Sequence, residues 1–345
     1  MAVVLRGVFL PSDSFDERVL DDGRPETTVV NGGFILPGLV DAHCHIGIAP
    51  GGEPVTSLSQ SKELAAIDRD AGVLGIRDAG SPFAYPSLDD DVEMPRLARA
   101  GQHVAPIRRY LPSIGVEVPP DEVPAEITRQ AARGNGWVKL VGDWIDRSVG
   151  DLAPAWDDDV MRAAVEAAHA AGARITAHCF EEHSVEVLVR AGIDCVEHGT
   201  GLAPDVIEEM ARRGTALVPT MINIGTFGDI AARASSKFPR YAKHMVALMD
   251  GFPAIVRMAY EAGVPIYVGS DAGGGIGHGL AYQEMLLLHG AGMSTMDVLT
   301  AGSWGARSWL SFDGDDYTVY DSDPRDDLSA LHEPRRVILR GRIVR

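Results

Sequence analysis

The sequence predicts an α/β protein, a (β/α)8 TIM barrel carrying a small β-sandwich assembled from its N- and C-terminal segments. Three features carry that expectation. Short apolar strands alternate with helical stretches eight times, the pattern of a parallel sheet covered on both faces, and eight repeats close such a sheet into a barrel. Strand patterns with nothing helical around them occupy both chain ends. Histidine, lysine or aspartate repeatedly stands at or near the end of an apolar strand, where barrels of this kind gather their chemistry. The expected division is 1–34 with 313–345 for the sandwich and 35–312 for the barrel. An open doubly wound sheet is the competing architecture, but neither G-x-G-x-x-G nor G-x-x-x-x-G-K is found to support it.

In order, AVVLRGVF (2–9) reads as a strand, an acidic turn follows around Asp21 to Gly23, and Thr27 to Val30 is a second strand. Tyr317 to Asp321 and Arg336 to Val344 mirror them at the far end, separated by the acidic loop DSDPRDD. The barrel units begin at FILPGLVDAHCHIG (34–47), where two apolar runs flank Pro37–Gly38 and lead into Asp41, His43 and His45. Ser57 to Ala71 reads as helix, Val73 to Arg77 as a strand ending at Asp78, Met94 to Ala100 as a short helix, and His103 to Ile107 as the third strand. Asp121 to Arg133 opens with acidic residues, as helix starts prefer. Trp137 to Val141 is the fourth strand, Asp157 to Ala171 a helix, and Ala173 to His178 the fifth strand. Glu182 to Ala191 with Ile193 to His198, and Pro204 to Arg213 with Thr215 to Thr220, repeat the unit. A helical region from Phe238 to Ala262, broken at Gly251–Pro253, precedes Pro265 to Asp271, and helices over Leu280 to His289 and Thr295 to Leu310 close the series.

Composition narrows the function. The 345 residues are 46% hydrophobic but only 6% aromatic, so the core rests on Ala, Val, Ile and Leu. With 31 basic and 49 acidic residues the net charge is −18, which opposes nucleic-acid and anionic-membrane partners and suits a cytoplasmic protein acting on a small molecule. A homo-oligomer stays open. Cys44, Cys179 and Cys195 are too few for a disulfide framework and read as buried thiols. The N-terminus lacks a signal-peptide pattern, and no stretch approaches the roughly 18 apolar residues of a membrane span.

His43 and His45 lie two apart in a strand and share a face, with Cys44 on the other, so the two imidazoles can grip one cation. Lys139 within WVKLV, His178, His198 and Asp271 would join them at one rim. A lysine among apolar neighbours has two readings: a salt bridge to an acidic neighbour, or a desolvated amine that adds carbon dioxide to become a carbamate. Two anionic carbamate oxygens can bridge cations about 3.5–4 Å apart. The carbamate is favoured, because the histidines outnumber what one cation needs.

PGLVDAHCH, Lys139 on the fourth strand, AHCF at His178, VEHG at His198 and VGSDAG at Asp271 resemble the metal-dependent amidohydrolase superfamily, most nearly its prolidase-like and imidazolonepropionase-like branches. The resemblance spans nearly the whole chain. It implies one divalent cation held by His43, His45, Lys139 and Asp271 and a second held by Lys139, His178 and His198. The cations would be zinc first, with manganese, iron or cobalt as alternatives, and carbon dioxide is implied as the lysine carbamate. It further implies cleavage of an amide or other C–N bond in a dipeptide, N-acyl amino acid or small cyclic amide, with Asp271 as general base and then acid. The N-terminal part of the sandwich is shorter than the family usually shows. His178 and Glu181 also form H-x-x-E, which resembles the mononuclear deaminase branch with Glu181 moving protons. The lysine argues for two metals, and Glu181 reads more simply as a helix-start residue.

Substrate contacts are expected from Arg108, Arg109 and Tyr110 after the third strand, although two adjacent arginines cannot both point inward and a surface ion pair competes. Asn223, with Met221 and Phe227, follows the seventh strand, Trp144 follows the fourth, and His278 lies in the bendable loop GGGIGHG. His103 begins a strand and so belongs at the opposite end from the rim. His169, His183, His244, His289 and His332 read as solvated or capping.

Overall fold

All residues of Leu39–Cys44, Val73–Asp78 and Trp137–Val141 are buried. Strands buried on both faces require a parallel sheet wrapped in helices. The computed structural model, which describes residues 2–20, 27–83 and 85–345, contains that sheet; the acidic turn expected around Asp21 to Gly23 lies outside them. The first barrel strand, Leu39–Cys44, pairs in parallel with the second, Val73–Asp78, and that with the third, Arg96–Arg99. Beyond the third strand the chain continues into Val104–Pro106, where Val104 pairs with Leu140 of the fourth barrel strand, Trp137–Val141. The fifth (Arg174–Cys179), sixth (Cys195–His198) and seventh (Ala216–Val218) follow side by side. Segment 265–272 fills the eighth position: Leu217 N donates to Pro265 O at 2.8 Å, and Ala42 N to Val268 O at 2.7 Å. The hydrogen-bonded links thus return to the first strand.

One element differs in kind from expectation. Arg96–Arg99 is the third barrel strand, where Met94 to Ala100 is expected as a short helix. Pairing against the fully buried second strand overrides that local expectation. The consequence reaches the site, because His103 now follows the C-terminal end of a barrel strand and stands at the rim.

The chain ends form a single six-stranded sheet, in the order Arg342–Ile343, Arg336–Leu339, Tyr317–Tyr320, Thr27–Pro37, Ala2–Phe9, Ser14–Leu20. Its apolar side chains, among them Leu5, Phe9, Ile35, Val319 and Ile338, meet in a core of their own. Ser14–Leu20 gave no strand signal because SFDERVL is exposed at every position but the last. Gly38 alone separates Thr27–Pro37 from the first barrel strand. A Cβ there would lie 2.5 Å from the Leu74 side chain, so the junction needs glycine.

Helix Pro239–Glu261 runs unbroken through Pro253. The missing N–H costs one hydrogen bond, but Leu248, Phe252, Val256 and Ala259 carry the buried stripe across the position at helical spacing. Among the described residues no helix is long and apolar enough to cross a membrane.

At the base of the barrel, buried Trp137 packs edge-on against Trp309 at 5.1 Å, with Arg77 and Arg174 over its ring at 4.8 and 4.2 Å. Trp137→Ala is expected to cost about 3–5 kcal/mol in chemical denaturation; a loss below about 1 kcal/mol would mean that this stack does not support the barrel.

Candidate metal centre

Strand alternation turns His43 and His45 to one side, and the ring of strands brings Asp271 beside them. His43 Nε2 lies 2.9 Å and His45 Nε2 3.2 Å from Asp271 Oδ1, and the two nitrogens are 3.2 Å apart. The other nitrogen of His45 is 2.8 Å from Gly80 O. With Nδ1–H donating to that carbonyl, Nε2 is left as a lone pair. Asp41 braces both strands, accepting from His43 N at 3.0 Å and Ser270 N at 3.1 Å.

The remaining imidazoles adjoin this pair. The His198 ring centre is 5.2 Å from that of His43 and 4.8 Å from that of His178. Lys139 is buried, and its Nζ meets Glu197 Oε2. The acidic neighbour of the salt-bridge reading is therefore Glu197. Fully buried itself, Glu197 also accepts from Thr176 Oγ1 at 2.8 Å and lies 3.3 Å from Arg77 Nη2. The six rim residues expected from the sequence are thus gathered in one place.

Burial sets the charges. It lowers His43 and His198 well below the usual histidine range and His178 to about 3, with the Lys139 charge adding to each. Burial also brings Lys139 down to about 7. Burial opposes ionisation of Asp271, but the adjoining imidazoles, His43 foremost, hold its carboxyl well below the usual value. Neutral imidazoles, an ionised carboxylate and an amine near neutrality form a donor set for divalent metals. Buried His43 Nδ1 and His178 Nε2 make no hydrogen bond, which leaves polar capacity unspent at the same spot. His43, His45 and Asp271 offer ligand atoms within 4.8 Å of one another, as do His43, Glu197 and His198. The residues fit a metal centre.

The neutral histidines give a pH prediction. Their folded pKa values lie below the ordinary 6.5, so acid protonates the unfolded chain first and stability falls as pH drops below about 6.5. Metal-free protein should melt at a lower temperature at pH 5 than at pH 7. A melting temperature unchanged between the two would contradict neutral burial of these rings.

An apolar wall backs the site. Phe180 is 4.2 Å from His178 and 4.8 Å from both His198 and Phe227, ring centre to ring centre. Tyr110 lies 4.8 Å from Trp144 and 6.4 Å from His178. Arg108 is exposed in a left-handed conformation, φ 60°, on a cavity of about 170 Å³ shared with Arg109, Tyr110 and Trp144. The Arg109 guanidinium is engaged structurally: it donates to Pro154 O at 3.0 Å and to Trp144 O and Ala153 O at 3.3 Å, pinning the hairpin of Asp143–Asp146 and Asp151–Pro154. Asn223 is half-buried in the short helix Met221–Ile224. His278 Nδ1 is 2.7 Å from Asp68 Oδ2, and Gly279 N donates to Asp68 Oδ1 at 2.7 Å, so the loop is tied to helix Leu58–Asp70. The donors grouped with His278 are Asp68 and Cys44 on the far face of the first strand, not the rim histidines. Glu181 caps helix Glu182–Ala191, its carboxylate accepting from His183 N, Ser184 N and Ser184 Oγ.

Three further residues stand at the site without a local signal in the sequence that places them there. His103 is buried with its ring 5.2 Å from that of His45, a position hidden while RLAR reads as helix. Glu197 precedes His198, and plain alternation would send the two to opposite faces. The left-handed backbone of His198, φ 65°, turns it inward beside Glu197, which lies 3.4 Å from His43 Nδ1. Thr220 Oγ1 lies 2.7 Å from His198 Nδ1.

Comparison with known proteins accords with this geometry. The model of the amidohydrolase family matches residues 34–314. Uncharacterized proteins of Mycobacterium bovis and Mycobacterium tuberculosis are each 47% identical over 352 residues, spanning 98% of this chain and 94% of theirs. Among solved structures, a Xaa-Pro dipeptidase with bound methionine superposes with TM-score 0.79 at 21% identity, covering 99% of each chain. A putative prolidase from Bifidobacterium longum gives 0.82 at 22%, covering 100% of this chain and 94% of that one. The A. niger ochratoxinase gives 0.78 at 17%, covering 99% and 95%. These likenesses share the fold. With the family model matching from residue 34 to residue 314, the chain belongs to the amidohydrolase family.

Proposed function

We propose that this chain is a dinuclear metallohydrolase cleaving an amide or related C–N bond of a small molecule: a dipeptide, an N-acyl amino acid or a small cyclic amide. His43, His45, Asp271 and Lys139 would hold one divalent cation, and Lys139, His178 and His198 the other, zinc being the first candidate. The observation that carries the reading is the convergence of His43 Nε2 and His45 Nε2 on Asp271 Oδ1 within 3.2 Å. Lys139 would serve as its carbamate: the amine nitrogen bonds the carbon of carbon dioxide and one proton leaves. A pKa brought down to about 7 by burial supplies the neutral amine that this step needs. When bound, such cations would lower the pKa of a water and polarise the substrate carbonyl.

The chain's own residues do the rest. Asp271, kept ionised, takes the proton of the attacking water and returns it to the leaving nitrogen. Phe180, Phe227, Tyr110 and Trp144 exclude water and shape the pocket, with Arg108, Tyr110 and Asn223 the candidate substrate contacts. The three buried free thiols suit a reducing, cytoplasmic setting.

A chain loaded with zinc or manganese should be screened against Xaa-Pro dipeptides, N-acyl amino acids, lactams and lactones. Xaa-Pro dipeptides come first because a Xaa-Pro dipeptidase and a putative prolidase share the fold. Hydrolysis of an amide that stops on chelation is expected; hydrolysis that persists in metal-free protein would sink the proposal.

The mononuclear deaminase reading needs Glu181 free to move protons, yet its carboxylate is occupied at a helix start. Glu181→Ala is expected to cost about 1 kcal/mol of stability, as loss of a cap does, and to leave turnover nearly unchanged. A drop of about 10²-fold or more, measured as kcat, would restore the deaminase reading.

A further inference from the structure

Three successive barrel positions end in left-handed backbone at residues other than glycine: His198 at φ 65°, Thr220 at 51° and Asp271 at 58°. Left-handed backbone is rarest for a β-branched residue, and it persists only where the surroundings impose it. His198 and Asp271 belong to the candidate metal centre; Thr220 had no assigned role.

Two sets of contacts converge on Thr220. Its Oγ1 lies 2.7 Å from His198 Nδ1 in a buried site. Just beyond it, Met221 N and Ile222 N donate to the carboxylate of Glu284 at 2.7 and 3.0 Å. Glu284 is fully buried on helix Ala281–Gly290, and burial pushes its carboxyl up to about 8, so its position is costly apart from those two bonds. The helix it caps, Met221–Ile224, is a single turn and cannot hold its own start.

We infer that Thr220, held in place by Glu284, is a positioning residue for His198. His198 Nδ1–H donates to Thr220 Oγ1, which fixes the tautomer and leaves Nε2 as the lone pair toward the second cation. Neither Thr220 nor Glu284 touches substrate in this account. The inference rests on the reading of His198 as a ligand and adds what sets its protonation and angle. A hydrogen bond to the distal ring nitrogen of a metal-binding histidine typically governs affinity by about 10–100-fold.

The test is a cobalt(II) titration of metal-free protein, followed by visible absorption and by metal analysis after gel filtration. Wild-type protein should take up two equivalents. Thr220→Val, which removes the hydroxyl and keeps the branched shape, should weaken one equivalent by about 10–100-fold and leave the other unchanged. Thr220→Ser should restore the second equivalent. A purely structural role would lower the melting temperature without separating the two equivalents. Folded Thr220→Val that binds both as wild type does, or weakens both alike, overturns the inference. If Thr220→Val does not fold, Glu284→Gln decides in the same way: selective loss of one equivalent supports it, and two retained equivalents overturn it. Wild-type protein taking up fewer than two overturns the ligand reading beneath, and the role of Thr220 with it.

Discussion

Asp271→Asn should keep the fold, retain part of the cation uptake and lose most turnover, on the order of 10²–10⁴-fold in kcat. The fold survives because Asn tolerates the left-handed conformation at φ 58° about as well as Asp does. The backbone bond from Asp271 N to His43 O at 2.7 Å is also untouched. An amide oxygen can still face His43 and His45 at the positions now 2.9 and 3.2 Å from Oδ1. What it cannot do is accept a proton from water and pass it to nitrogen. The comparison requires kcat, metal content and melting temperature on one preparation. Wild-type kcat in the folded variant would remove Asp271 from the mechanism.

Lys139→Ala should be the more damaging change. On the proposed reading, removing the amine removes the carbamate, and two cations would lose the group that joins them. Cations in such a pair stabilise developing charge by several kcal/mol, so turnover should fall by about 10³-fold or more. The metal-free fold also suffers, since there Glu197 loses the Lys139 amine it meets and keeps Arg77, 3.3 Å away, as a buried cation. A short carboxylate such as acetate or propionate, small enough for the vacated space, should restore part of the activity at millimolar concentration. Wild-type turnover with two equivalents still bound in Lys139→Ala would show that the lysine is only the partner of Glu197.

Much of this arrangement is legible in the amino-acid sequence because the physics is local. His43, His45, His178 and Asp271 lie at or just beyond the ends of apolar runs, and eight such runs leave little freedom in where their ends meet. The failures share a cause as well. The short stretch from Met94 to Ala100 carries too little pattern to outweigh tertiary pairing, and reading it as helix misplaces His103. In VEHG, one left-handed residue breaks the alternation and brings Glu197 and His198 together. In TMINI, the acceptor of the turn is Glu284, more than sixty residues away, and no local signal names it. His278 looks free in its glycine-rich loop, but its anchor is Asp68, buried on a helix far back in the chain.

The most direct measurement counts metal against activity. Metal-free protein supplied with bicarbonate should be titrated with zinc while bound metal and amide hydrolysis are followed together. Two zinc ions per chain are expected, with hydrolysis rising only as the second binds. Full hydrolysis at one ion per chain, or in protein that binds none, would rule out a dinuclear site.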